Sequence, residues 1–189
     1  MNIDRKEAIK RTALLMGGLV FAPSALGVLN GCKARPGVDW NPLYFNSERA
    51  RLVTVLSDII IPETDTPGAS QAGVPSFIEE MVFTFYTEDV REQFLSGIDS
   101  FNDLARKSYG DRFAELDPDT QYQFADEQNR LALEDVQLEP SFFLVMKELT
   151  IMGYFTSEAG AKETLRYEKI PGHYEGCIPF EEIGKTWAT

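Results

Sequence analysis

The sequence LSDIIIPETDTPGASQAGVPSFIEEM, residues 56–81, decides the fold of this chain. An apolar segment stops at Pro62, a polar stretch rich in proline and glycine follows, and apolar residues at helical spacing resume after Pro75. Proline breaks a helix when it lies in the interior, and it suits the first turn of a new one. The pattern predicts two helices joined by a loop from Pro62 to Val74, which is longer than most connections between helices.

Apolar residues at a spacing of three or four continue along the chain, and capping residues precede them. The same spacing places Phe85, Val90 and Leu104 on the buried sides of their helices. No alternating strand pattern competes, so we expect an all-α fold, a compact multi-helix domain with long loops and an irregular C-terminal tail from Arg166. Helices are predicted to begin at Pro75 and Pro140, and directly after the capping residues Ser47, Thr87, Asp117 and Ser157.

The first 31 residues have the layout of an export signal. Four basic residues lie within the first 11 positions, and an uncharged, mostly apolar run follows from about Ala13 to Leu29. The alternative is a membrane-spanning helix, but glycines and Pro23 interrupt this run, which is shorter than the roughly 20 residues that a spanning helix needs. We therefore predict an export signal over residues 1–31.

Cys32 stands at the end of this apolar run, directly after the sequence LNG. That order resembles a bacterial lipobox, in which the cysteine is lipidated and becomes the new N-terminus, so we expect lipid on Cys32. Arg5 and Lys6 resemble the residue pair of a twin-arginine export motif, with lysine in the second position. Residues 32–46 are then a tether, and residues 47–189 are the helical domain.

The chain is acidic, with a formal net charge of −12. The predicted signal carries two more basic than acidic residues, so its removal leaves a net charge of −14. Nucleic-acid phosphates attract lysine and arginine, and an acidic surface does not suit them. We therefore expect no nucleic acid among the partners. The residues after the signal suffice for one domain with a core of its own.

Residue types that carry catalysis or bind metals are scarce or unpatterned in this chain. His173 is the only histidine, which excludes a catalytic triad or a metal site built on several histidines of this chain. No glycine-rich phosphate loop follows a strand pattern, and the acidic residues around Asp65 lack the spacing of a calcium loop. We predict no catalytic, metal-binding or cofactor-binding residues and no enzyme activity in the chain by itself.

The loop and its flanks resemble the gluconate 2-dehydrogenase subunit 3 family, the small subunits of membrane-bound flavin dehydrogenases. The matching motifs are an I-I-P turn that ends at Pro62, the T-D-x-P-G-A stretch over residues 64–69, and A-G-V over residues 72–74. The segments GYFTSEAG, residues 153–160, and LRYEKIPGHYEGC, residues 165–177, match as well. The resemblance extends over nearly the whole chain.

This resemblance implies a role without catalysis. In such complexes a large subunit of the glucose–methanol–choline oxidoreductase type holds FAD and oxidises a sugar or polyol, and a cytochrome c often accepts the electrons. The small subunit carries the export signal and escorts the large one. The implied location is the periplasmic side of a bacterial membrane, with the lipid on Cys32 as the anchor.

Two segments are the expected contacts with the large subunit. A long loop that matches a family motif is a better interface candidate than a plain connector. In the tail, an odd cysteine in an exported chain favours a disulfide with the partner, or a place in its interface, for Cys177. The alternative for Cys177 is a small buried core residue. The expected contact residues are Pro62, Asp65, Pro67, Gly68, Tyr174 and Cys177.

Two other functions stand beside the accessory subunit. One is a freestanding helical lipoprotein that acts as a binding or structural module without a redox partner. The other is an enzyme in its own right, which the single histidine and the missing cofactor motif disfavour. A flavin oxidoreductase encoded beside this chain would favour the subunit, whereas flavin absorbance of the purified single chain would favour the enzyme.

Overall fold

The computed structural model describes residues 39–134, 141–170, 172 and 177–188, and these residues form an all-α fold, as predicted. Within these ranges the only β-type pairing is an isolated bridge between Arg166 and Trp187. Two π-helical turns, Met81–Phe85 and Gly160–Thr164, and a 3-10 turn, Phe113–Glu115, complete the secondary structure. The α-helices are α1 (Ser47–Ile60), α2 (Val74–Glu80), α3 (Glu88–Tyr109), α4 (Pro118–Glu134), α5 (Phe142–Thr156) and α6 (Phe180–Ile183).

Side-chain hydrogen bonds cap the N-termini of α1, α4 and α5, whereas Thr87 precedes α3 without such a bond. The Asp117 carboxylate accepts hydrogen bonds from the Thr120 hydroxyl and backbone N–H, which lower the pKa of Asp117 and begin α4. At α1 the prediction of Ser47 as the cap is wrong by one residue. The cap is Asn46, whose side-chain oxygen accepts from the Arg49 N–H at 2.9 Å, so Ser47 is the first helical residue.

Helix α5 lies at the centre of the domain and packs against α1, α2, α3 and α4. It meets α2 closely because Gly153 lacks a side chain, and a Cβ atom there would lie 2.6 Å from Cδ1 of Phe77. Between α3 and α4, the rings of Phe101 and Phe124 pack edge to face at 4.9 Å. The helical spacing predicts one buried face of α1 formed by Leu52, Val53, Leu56, Ile59 and Ile60; the first three are fully buried, and Ile59 and Ile60 are half-buried against the core.

Three residues that the spacing predicted to be buried are exposed: Phe85, Val90 and Leu104. Phe85 ends a π-helical turn, whose extra residue shifts it off the face that the preceding α-helix sets. Val90 is in the first turn of α3, one turn before its first buried residue, Phe94. Leu104 lies beside the buried stripe that contains Phe101 and is open to solvent at its edge.

Residues 39–46, which we predicted as the second half of a tether, lie on the helical body. The Trp40 indole donates a hydrogen bond to the Thr54 hydroxyl of α1 at 3.0 Å. Phe45 is buried, and its ring contacts the Phe83 ring edge to face at 5.6 Å. The folded body therefore begins before α1.

Candidate functional site

The loop between α1 and α2 is folded back on the end of α1 by two backbone donors. The Ala69 N–H donates to the Ile61 carbonyl at 2.9 Å. The Ser70 N–H donates to Oδ1 of Asp58, in the last turn of α1, at 2.8 Å. Because its backbone groups are paired in this way, the loop is ordered by local contacts despite its length.

Tyr154 of α5 holds the same loop from the other side. Its ring is buried, and its hydroxyl donates to the Pro67 carbonyl at 2.8 Å. The same hydroxyl lies 3.0 Å from Oγ1 of Thr164, in the second π-helical turn. One buried hydroxyl therefore joins the loop, α5 and the turn that follows α5.

Two glycines in the loop meet backbone requirements. Gly68 is buried, and a Cβ atom there would lie 2.9 Å from the backbone nitrogen of Glu63. Gly73 has φ of 81°, in the left-handed region that favours glycine, and it precedes the first residue of α2. The shape of the loop therefore accounts for the glycines at these two positions of the sequence motif.

The outer edge of the loop is the part open to a partner. Pro62 and Asp65 are exposed, and Pro67 is half-buried. The Asp65 carboxylate accepts only from the neighbouring Thr64 hydroxyl, at 3.1 Å, among the contacts of the described chain. Gly68 is buried beneath this edge, so it supports the surface without forming it. Contact of these four residues with a partner stays a prediction.

Cys177 is exposed and unpaired with any other described cysteine, so the alternative of a small buried core residue is wrong. Arg166 precedes Cys177 in the tail and Thr186 follows it, and the Arg166 backbone N–H donates to the Thr186 carbonyl at 2.8 Å. The Arg166 guanidinium also lies over the Trp187 ring, 4.5 Å from its centroid. A disulfide from Cys177 to a partner stays a prediction. Arg5, Lys6, Cys32 and Tyr174 lie outside the described residues.

Sequence reasoning missed Glu79, the most elaborately bonded carboxylate among the described residues. It is buried on α2 and accepts three backbone N–H groups from the chain before α1, those of Leu43, Tyr44 and Phe45, at 2.9, 2.9 and 2.6 Å. Its position was the available signal, because it shares the helical spacing of the buried residues Pro75, Ile78 and Val82.

The described residues contain no cluster of three or more histidine, cysteine, aspartate or glutamate side chains placed to hold a metal. A depression of about 170 Å³ between α1, α4 and α5 is lined in part by Asp126 and Lys147. Small-molecule sites usually measure about 300–1,000 Å³, so this depression is small for one. Among the helices described, none is both long and apolar enough to cross a membrane.

These features define a small all-α domain whose ordered loop and exposed apolar residues suit contacts with another protein. The chain belongs to the gluconate 2-dehydrogenase subunit 3 family, whose family model matches residues 47–172. The matched range begins at the first residue of α1 and includes the loop and α2 through α5. No curated protein and no solved structure matches the chain. The family resemblance seen in the sequence is thus confirmed, and the family name describes a subunit of a dehydrogenase.

Proposed function

We propose that this chain is the non-catalytic accessory, assembly and export subunit of a periplasmic, membrane-associated flavin dehydrogenase that oxidises a sugar or polyol. The observation that carries the proposal is the family match over residues 47–172. In this proposal a large subunit of the glucose–methanol–choline type holds FAD, this chain holds no cofactor, and a cytochrome c accepts the electrons.

The N-terminal sequence supports the export part of the proposal. A flavoprotein folds around its cofactor before export, so its escort needs a route that carries folded proteins. Arg5 and Lys6 stand before an apolar run of moderate length that contains glycines, which is typical of a twin-arginine signal. Cys32 at the end of that run supplies the proposed lipid anchor on the periplasmic side of the membrane.

The test is purification of the full chain with a C-terminal affinity tag from detergent-extracted membranes of its host. We expect a larger polypeptide in stoichiometric amount, a flavin absorption spectrum in the eluate, and flavin bound to that larger polypeptide. Electrophoresis of the same eluate without reductant tests whether Cys177 joins the two subunits. Recovery of the chain alone would favour a freestanding lipoprotein, and flavin on the single chain would favour an enzyme.

Replacing Cys32 with serine should move the chain from the membrane fraction to the soluble periplasmic fraction. One acyl chain binds a bilayer weakly, but the several chains of a lipoprotein anchor it stably, so loss of the acceptor sulfur removes the anchor. The measurement is fractionation in a strain without the large subunit, because a partner could otherwise retain the chain. Cys177→Ser is the matched control and should stay with the membrane. Unchanged membrane association of Cys32→Ser would refute lipidation at this residue.

Replacing Asp65 with lysine should lower recovery of the large subunit by roughly fivefold, since this exposed carboxylate lies on the loop edge that we assign to the interface. Asp65 is a cleaner probe than Pro67, because the Pro67 carbonyl also accepts the Tyr154 hydrogen bond. Asp103→Lys, at an exposed position of α3, is the control for the charge change. Helical circular dichroism should match the parent in both variants. Unfolding of Asp65→Lys would instead assign the loop edge a structural role.

A further inference from the structure

The backbone of the loop between α1 and α2 has little freedom where Thr66 meets Pro67. The ring of a proline fixes its φ near −65°, and it disfavours helical conformations of the residue before it. The main torsion left open at this point is therefore ψ of Pro67, which turns the Pro67 carbonyl. A hydrogen bond to that carbonyl consequently sets the direction in which the chain continues into Gly68.

Tyr154 of α5 donates that hydrogen bond. Its hydroxyl lies 2.8 Å from the Pro67 carbonyl oxygen, 3.0 Å from Oγ1 of Thr164 and 3.4 Å from Oγ1 of Thr66. A tyrosine hydroxyl has one proton to donate and can also accept at its oxygen. Because the Pro67 carbonyl can only accept, it takes the proton, and the Thr164 hydroxyl donates to the Tyr154 oxygen. Thr164 therefore directs the Tyr154 proton toward the loop.

Tyr154 is itself held in place at the end of α5. It is only 2 % exposed, and its carbonyl accepts from the Ser157 backbone N–H and hydroxyl at 3.1 and 2.7 Å. The Ser157 hydroxyl accepts in turn from the Gly160 N–H at 3.0 Å. The Tyr154 hydroxyl is thus a fixed point against which the loop is set.

The part of the loop that Tyr154 holds is a surface and not a core element. Of the hydrogen bonds described for residues 62–68, only those of Tyr154 come from outside the loop and its two flanking helices. Within the loop, the Thr64 N–H donates to the Thr66 carbonyl at 3.0 Å, and Asp65 between them is exposed. The Tyr154 bond therefore fixes the position of this small exposed turn relative to α5.

We propose that Tyr154 is a positioning residue for the binding of the large subunit of the dehydrogenase. Its hydroxyl sets the conformation of Thr66 and Pro67, and so the exposed edge that carries Asp65, before the partner binds. This inference rests on the proposed function, which assigns the loop edge to that partner. A loop that is ordered in advance loses less conformational freedom on binding, so the affinity is higher. Phenylalanine would fill the same space in the core, so this role requires the hydroxyl itself.

The test compares tagged full-length variants purified from host membranes, with the flavin absorbance and the identified large subunit measured per tagged chain. Tyr154→Phe keeps the buried ring and removes the hydrogen bond, and it should lower recovery of the flavoprotein by about fivefold. Thr150→Val is the matched control, because it removes another buried hydroxyl of α5, one that donates to the Met146 carbonyl of the same helix at 2.8 Å. Its recovery should match the parent.

A second measurement tests the positioning without the partner. Hydrogen–deuterium exchange of the full chain, expressed without the large subunit, is followed in peptides from residues 62–74. The Ala69 and Ser70 amides donate hydrogen bonds that hold the loop on the end of α1. Their exchange should be about fivefold faster in Tyr154→Phe than in the parent, since the loop opens more often without its bond to α5. Thr150→Val should exchange at the parent rate.

The outcomes separate this inference from the proposed function. Where the parent recovers the flavoprotein, the proposed function stands, and unchanged exchange or unchanged recovery in Tyr154→Phe would overturn the inference. Equal losses of recovery in Tyr154→Phe and Thr150→Val would also overturn it, because lost stability would then explain the weaker complex. If the parent recovers no flavoprotein, the proposed function fails, and the role of Tyr154 toward that partner fails with it.

Discussion

Replacing Gly160 with alanine is expected to lower the free energy of unfolding of the domain by about 3 kcal/mol or more. The added methyl group would meet the carbonyl oxygen of Tyr154 and lie 3.0 Å from Cα of Phe155. Both atoms belong to the backbone of α5, so relief of the clash requires the second π-helical turn to move away from the central helix. The measurement is urea unfolding followed by circular dichroism at the helical band.

Two further variants calibrate the Gly160 result. Gly153→Ala places its methyl group against the ring of Phe77, a side chain that can tilt, so its cost should be smaller, about 1–2 kcal/mol. Lys162→Ala changes an exposed residue in the same turn as Gly160 and should unfold at the same urea concentration as the parent. If Gly160→Ala also unfolds with the parent, the close approach of the turn to α5 is not required by the fold.

Replacing Glu79 with alanine should lower the free energy of unfolding by about 3 kcal/mol, because three backbone donors lose a common acceptor. Each orphaned buried donor costs about 1–3 kcal/mol, and rehydration of residues 43–45 recovers part of the sum. Glu79→Gln keeps one acceptor oxygen and should lie between alanine and the parent. The readouts are urea unfolding and the rate of limited proteolysis within residues 39–46.

Glu80→Ala is the matched control for Glu79, since Glu80 is the next residue on α2 and is exposed. Its free energy of unfolding should stay within about 0.5 kcal/mol of the parent. Equal stability of the Glu79 and Glu80 variants would mean that residues 39–46 do not contribute to the stability of the body.

The helices were predictable where their signals are local. Thr87 and Gly110 lie directly outside α3, and Gly110 adopts φ of 89°, so the range from Glu88 to Tyr109 follows from the residues at its two ends. The motif over the first loop was likewise sufficient to identify the family, which the match over residues 47–172 confirms. Such signals can be read from neighbouring residues alone, without knowing which segments of the chain meet in space.

The contacts that organise the candidate site were not predictable, because they join distant parts of the chain. Tyr154 and the Pro67 carbonyl are 87 positions apart, and no local pattern couples them. Glu79 looked like one acidic residue among 30 aspartates and glutamates until residues 43–45 were placed beside it. The composition of α5 did not show which of its apolar residues are buried: Met146 and Leu149 are buried, whereas Ile151 is exposed.

The Glu79 hydrogen bonds also limit the greatest distance between the folded body and the lipid proposed on Cys32. Residues 43–45 are held on α2, and the stretch from Cys32 to Asp39 spans at most about 25 Å even when fully extended. A body that has not folded releases the segment and roughly doubles that distance. If Cys32 carries the proposed lipid, folding therefore shortens the greatest distance between the body and the bilayer.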